Sequence, residues 1–195
     1  MILRGKIREL CKINESTELY LKVISLIFFI AISVGIITAQ LFPHEAREGV
    51  EEISQQLEFI SSAGTFEMFW IIFLNNAVKS FFALVSGILF GIIPVMFILI
   101  NGYVIGIVGT VAIAEKGITS FLALTLPHGI LEIPAVLLAA SLGVMLGEKF
   151  YTQIRTRESF HPSFSSALGV FFKIVVPTLA IAALIETLLG VIDGA

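Results

Sequence analysis

The chain has 195 residues, 57% of them hydrophobic and 14% charged, with a mean hydropathy of +1.00 and a formal net charge of −3. Soluble domains carry about 45–50% apolar and about 25% charged residues, so a water-soluble globular protein is excluded, and so small a charge gives no footing for nucleic acid. Cys11 is the single cysteine, which excludes an internal disulfide and any cysteine-based metal site.

A membrane helix needs about 20 mostly apolar residues. Residues 21–41 supply the first, behind a polar segment over 1–20. The run is longer than a signal-peptide core and "TAQLFPHEA" is a poor cleavage site, so a retained anchor is expected. Residues 43–64 are acidic, with Glu45, Glu48, Glu51, Glu52 and Glu58. Val50, Ile53, Leu57 and Ile60 recur there at helical spacing, which predicts a short amphipathic helix on the bilayer surface or capping the bundle. The apolar block 66–114 is too long for one span. The glycines and proline of "GILFGIIP" divide it into 66–89 and 92–114. The fourth span covers 119–147 and the fifth 164–192. The expected fold is a single domain: an all-α integral membrane protein with a bundle of about five transmembrane helices.

Lysine and arginine near span ends are retained on the cytoplasmic side. Arg4, Lys6, Arg8, Lys12 and Lys22 cluster before or at the start of span one, and Lys149, Arg155 and Arg157 follow span four. The other side has Arg47 and Lys116. A cytoplasmic N-terminus, an external C-terminus and an external amphipathic segment follow.

A charge at mid-membrane costs roughly 2.5–3.5 kcal/mol on insertion scales unless it finds partners. Span two nevertheless carries Asn75, Asn76 and Lys79, span three Asn101, span four His128 and Glu132, and span five Lys173 and Glu186. Counting about 1.5 Å per residue puts Asn75, Asn76, Lys79, His128 and Glu132 about 13–20 Å from the outer surface, and Glu186 at about 9 Å. Asn101 reaches the same level from the inner side. Asn75 and Asn76 precede Lys79 by four and three residues, and His128 precedes Glu132 by four, so each set shares a helix face. One polar cluster facing the bundle interior is expected: Asn75, Asn76, Lys79, Asn101, His128, Glu132 and Glu186. Lys173 is read as snorkelling to the cytoplasmic surface.

Span four holds "LPHGILEIPA", where Pro127, Gly129 and Pro134 weaken the helix. A broken or kinked fourth span is expected, its freed backbone buried in protein or lining a wet cavity. His128 and Glu132 either staple that break or serve a ligand. As metal ligands they are two of the three or four that zinc requires, with Glu186 a third only if it reaches across the bundle.

The Asn-Asn of "FLNNAVKS", the downstream "ILINGYVIG", the block "LPHGILEIPA" and "ALIE" in the last span, in that order, resemble the stage II sporulation protein M family. Pro127-His128-Gly129 followed by Glu132-Ile133-Pro134 is the most specific part. The resemblance implies a multi-span membrane protein; the namesake assembles with membrane-anchored peptidoglycan-degrading proteins during forespore engulfment. It implies no catalytic mechanism.

Three functions are consistent with this reading. The first is a non-enzymatic scaffold in the cell membrane that organises or recruits envelope partners. The second is a small transporter or channel using the intramembrane cluster, as a homodimer because five spans make a thin bundle. The third, an intramembrane metal-dependent enzyme, is least supported, since neither His-Glu-x-x-His nor Gly-x-Ser-x-Gly occurs. No cofactor is implied, and the partners expected are the lipid bilayer, envelope proteins and a second copy of the chain.

Overall fold

The structure, a computed structural model, describes residues 15–61, 64–156 and 159–193. Arg4, Lys6, Arg8, Cys11, Lys12 and Arg157 lie outside the described residues, as do the side chains of Leu57, Glu58 and Ile60. Among the described residues seven α-helices follow one another: α1 (Glu15–Leu41), α2 (Pro43–Ser61), α3 (Thr65–Ser86), α4 (Ile92–Lys116), α5 (Ile118–Thr156), α6 (His161–Val170) and α7 (Val176–Asp193). A π-helical segment, Phe171–Val175, joins α6 to α7. No strand occurs among the described residues.

Among the described residues five stretches are long and apolar enough to cross a membrane: Thr17–Leu41, Thr65–Ser86, Ile92–Lys116, Thr125–Thr156 and His161–Gly190. The chain is an all-α membrane bundle, as its composition predicts. Helix α5 is its centre, packing against α1, α3, α4 and α7. Half of its apolar window is buried, against 22% for α1, α3 and α4. On one side Leu84, Leu142, Leu146, Phe171 and Leu179 join α3, α5 and the last span. On the other, Ile24, Phe28, Ile98 and Leu137 join α1, α4 and α5.

Apolar side chains in lipid gain little from being buried against one another, so close backbone approach carries more of the packing. Helices α1 and α4 meet in this way. A Cβ on Gly106 would overlap the carbonyl oxygen of Ile32, and one on Gly102 would come within 2.8 Å of the Phe28 oxygen. Gly102 and Gly106 form the Gly-x-x-x-Gly spacing of close helix pairs. The α3–α4 turn, Gly87 to Gly91, sits on α5 just as tightly, and a Cβ on Gly87 would overlap the Gly143 carbonyl. Gly91 closes the turn at φ +72°, a conformation natural to glycine, and Phe90 before it takes φ +57°, which few bulky residues do.

Helix α2 begins at Pro43, which suits a first helical position, and Ala46 is buried with Ala39 of α1 and Val111 of α4. Val50 packs on this small cluster, whereas Ile53 is exposed.

The expected break in the fourth span is not found. Helix α5 runs without interruption through Pro127, Gly129 and Pro134. Each proline removes one bond from the ladder, while leaving the helix in hydrocarbon would strand several backbone groups with no water to meet them. Continuing is the cheaper course. The irregularity lies instead in the fifth span, where the N–H of Val176 bonds the carbonyl of Phe171, five residues back. Pro177 follows directly and has no N–H to offer.

Two substitutions test this packing in detergent. Gly106→Val is expected to lower stability by about 1–3 kcal/mol or more, because α1 and α4 must separate to admit the side chain. Ser80 is fully buried and its hydroxyl has no hydrogen-bond partner. Ser80→Ala is expected to raise stability by about 1 kcal/mol; thermal unfolding of the two variants reads both signs.

Candidate functional site

Helices α3, α5 and α7 pack pairwise, and the seam between them holds a cavity of ≈ 600 Å³. Seven polar or ionisable side chains line it: Asn75, Asn76 and Lys79 from α3, Thr125, His128 and Glu132 from α5, and Glu186 from α7. Helical spacing explains why each set arrives together. The pair His128 and Glu132 is one turn apart on a single face, as are Asn75 and Lys79. Ile71, Ile72, Ile105 and Ile133 supply apolar wall. Asn75 and Lys79 are exposed, while Asn76, His128, Glu132 and Glu186 are half-buried.

Asn101 does not line the cavity. Its side-chain amide donates to the Phe97 carbonyl at 2.7 Å, within its own helix, and the α4 residue at the cavity is Ile105, one turn further along. A depth count along the chain is good to about a turn, and that margin separates the two positions. Lys173 also lies elsewhere, exposed within the π-helical segment. Thr125 lines the cavity and was not anticipated; it precedes His128 by three residues, so the same spacing rule identifies it. Gly129 lines it as well, and a Cβ there would meet nothing closer than Ile133 Cδ1 at 3.9 Å. The missing side chain at Gly129 therefore contributes open space and relieves no clash.

His128, Glu132 and Glu186 each offer a ligand atom, and these atoms all lie within 4.8 Å of one another. The Nδ1 of His128 is buried without a hydrogen-bond partner. Among the described residues the ion pairs are Lys22–Glu18 at 3.1 Å and Lys149–Glu148 at 3.9 Å, both away from the cavity. Asn75 and Asn76 approach at 3.5 Å, the outer limit of a hydrogen bond. The polar side chains are thus gathered without being locked to each other. A second cavity, of ≈ 570 Å³, is lined by Phe66, Phe69, Ile181, Leu184 and other residues of α3 and α7, with no ionisable group.

A family model for stage II sporulation protein M matches residues 24–190. The chain belongs to the stage II sporulation protein M family. No curated protein and no solved structure matches it. The family match spans every residue that lines the polar cavity, from Met68 to Glu186, so the cavity belongs to the part of the chain that the family shares.

Because no hydrogen bond among the described residues depends on these two side chains, His128→Ala and Glu132→Gln are expected to leave thermal stability in detergent unchanged or higher, as for groups a fold carries at a cost. A fall of more than about 5 °C in both variants, on the order of 1–2 kcal/mol for a chain of this size, would mark the pair as a structural staple.

Proposed function

We propose that the protein is a non-enzymatic membrane protein that binds a small polar or cationic ligand within the bilayer, in the manner of a transporter or channel. One observation carries this reading: seven polar or ionisable side chains from three spans converge on one cavity. Intramembrane ionisable groups are rare, and by default they mark ligand or ion pathways. Transporters hold their cargo at such depths between helices. Among the described residues Lys79, His128, Glu132 and Glu186 form no ion pair with one another, which leaves them available to a ligand. Five spans form a thin bundle, so the working form is a homodimer.

A second reading is favoured by family membership and by α2, where Glu45, Glu48, Glu51 and Glu52 are exposed. There the protein is a scaffold in the cell membrane, and this acidic helix docks an envelope partner. Charge reversal along α2 separates the two readings. It is expected to leave ligand binding unchanged; loss of a partner captured by mild crosslinking would give the scaffold its support.

The first reading is tested in proteoliposomes containing a pH-sensitive dye or a dye quenched by Mn²⁺. Wild type is expected to pass protons or Mn²⁺ above the background of empty vesicles. Glu132→Gln and Gly129→Leu, which fills the cavity without touching a charge, are expected to reduce that flux at least tenfold, the scale of about 1.4 kcal/mol. Flux indistinguishable from empty vesicles, or untouched by both variants, sinks the reading.

The charge asymmetry supports an N-terminus in the cytoplasm, a C-terminus outside and an external α2. A membrane-impermeant maleimide is expected to label Cys11 only after cells are opened, and a Glu48→Cys substitution in intact cells. The opposite pattern inverts the topology.

A further inference from the structure

We propose that His128, Glu132 and Glu186 form a binding site for one divalent first-row transition-metal ion within the bundle. The inference names the ligand class of the cavity described above and rests on that reading of it. The three donors come from two facing helices, and their ligand atoms lie within 4.8 Å of one another. Metal–nitrogen and metal–oxygen bonds of about 2.0–2.2 Å put the donors of a tetrahedral site about 3.4 Å apart. Rotation of the side chains closes the difference, with the helices left where they are.

Two further features separate this cluster from ordinary polar packing. The buried Nδ1 of His128 has no partner, although two carboxylates stand beside the ring. And two carboxylates this close repel each other in a partly dry cavity unless a cation or a shared proton lies between them. Lys79 lines the same cavity but forms no ion pair with either. The two carboxylates and the imidazole face the cavity together, a donor set that suits a cation.

The donor set selects the class of ion. Calcium and magnesium prefer oxygen ligands alone, whereas an imidazole with carboxylates suits zinc, manganese or iron. Three protein ligands leave a fourth position open, as an ion that must enter and leave requires. Thr125, Asn75 and Asn76 line the same cavity and can hydrogen-bond water in that position. Lys79 sets a sign that a merely structural cluster would not show. Its charge opposes the bound ion, so removing it tightens binding.

The test uses the full chain, purified in detergent without a histidine tag and stripped of metal by EDTA. Exposed His44 and His161 are replaced by Ala to remove adventitious sites. Titration with Zn²⁺ alone, by calorimetry, is expected to give one ion per chain. Titration with Co²⁺ alone is expected to give visible d–d absorption from a nitrogen–oxygen ligand set. His128→Ala, Glu132→Gln and Glu186→Gln are each expected to weaken Zn²⁺ binding about hundredfold or more, with unchanged gel-filtration elution and helical circular dichroism. Asn101→Ala, off the cavity, is expected to have no effect, and Lys79→Met to tighten binding severalfold.

Failure of wild type to bind either metal saturably overturns the proposal, as does binding that survives His128→Ala and Glu186→Gln. If a variant misfolds, the wild-type Co²⁺ spectrum and the rise of its melting temperature with Zn²⁺ still decide. Proton flux through a cavity that binds no metal overturns the metal site and leaves the transport reading standing. Metal binding without flux of any ion does the reverse.

Discussion

Hydrocarbon offers an ionised or polar side chain nothing to bond with, and this constraint shapes the whole bundle. A protein meets it by pairing such groups, by moving them to the surface, or by giving them a polar interior. Here the groups on α3, α5 and α7 follow the third course, because they share a cavity without forming ion pairs among the described residues. The central position of α5 makes this workable. A helix packed by four others can turn one face to the polar seam while its remaining faces stay in apolar contact.

The two halves of the bundle solve different problems. Between α1 and α4 the backbones touch through Gly35, Gly102 and Gly106, and such an interface has little room to slide or open. The α3–α5–α7 half is held by larger side chains, Leu84, Leu142 and Phe171 among them, and it contains both cavities. A tightly closed pair of helices thus stands beside a roomier trio.

Much of this was legible in the sequence, for identifiable reasons. Span number follows from run length and from the Gly87–Pro94 interruption, since a helix of fixed rise must cover a bilayer of fixed thickness. The convergence of His128, Glu132, Lys79 and Glu186 was readable because height and helical face can both be counted along a chain. Asn101 escaped that count by a single turn, and its amide satisfies a carbonyl of its own helix. Pro127 and Pro134 weaken a helix in water, but α5 continues through them because the alternative in lipid is worse. The Gly102–Gly106 contact was written in the sequence as a spacing, yet only the partner helix reveals which glycines meet a backbone. The π-helical segment left no signal beyond Pro177, because it reports a fit between neighbouring helices.

That segment sets the rotational phase of everything after it. A π turn accommodates one residue more than an α turn, and each residue advances an α-helix by about 100°. Removing one residue from Phe171–Val175 would let a regular α turn replace the π turn with Glu186 still in line with His128 and Glu132, whereas α geometry forced on all five residues would swing Glu186 about 100° around the axis. The wider turn of this short stretch therefore aims the glutamate as surely as its place in the sequence does. The same residues wound as an unbroken α-helix would carry that carboxylate to another face of the bundle.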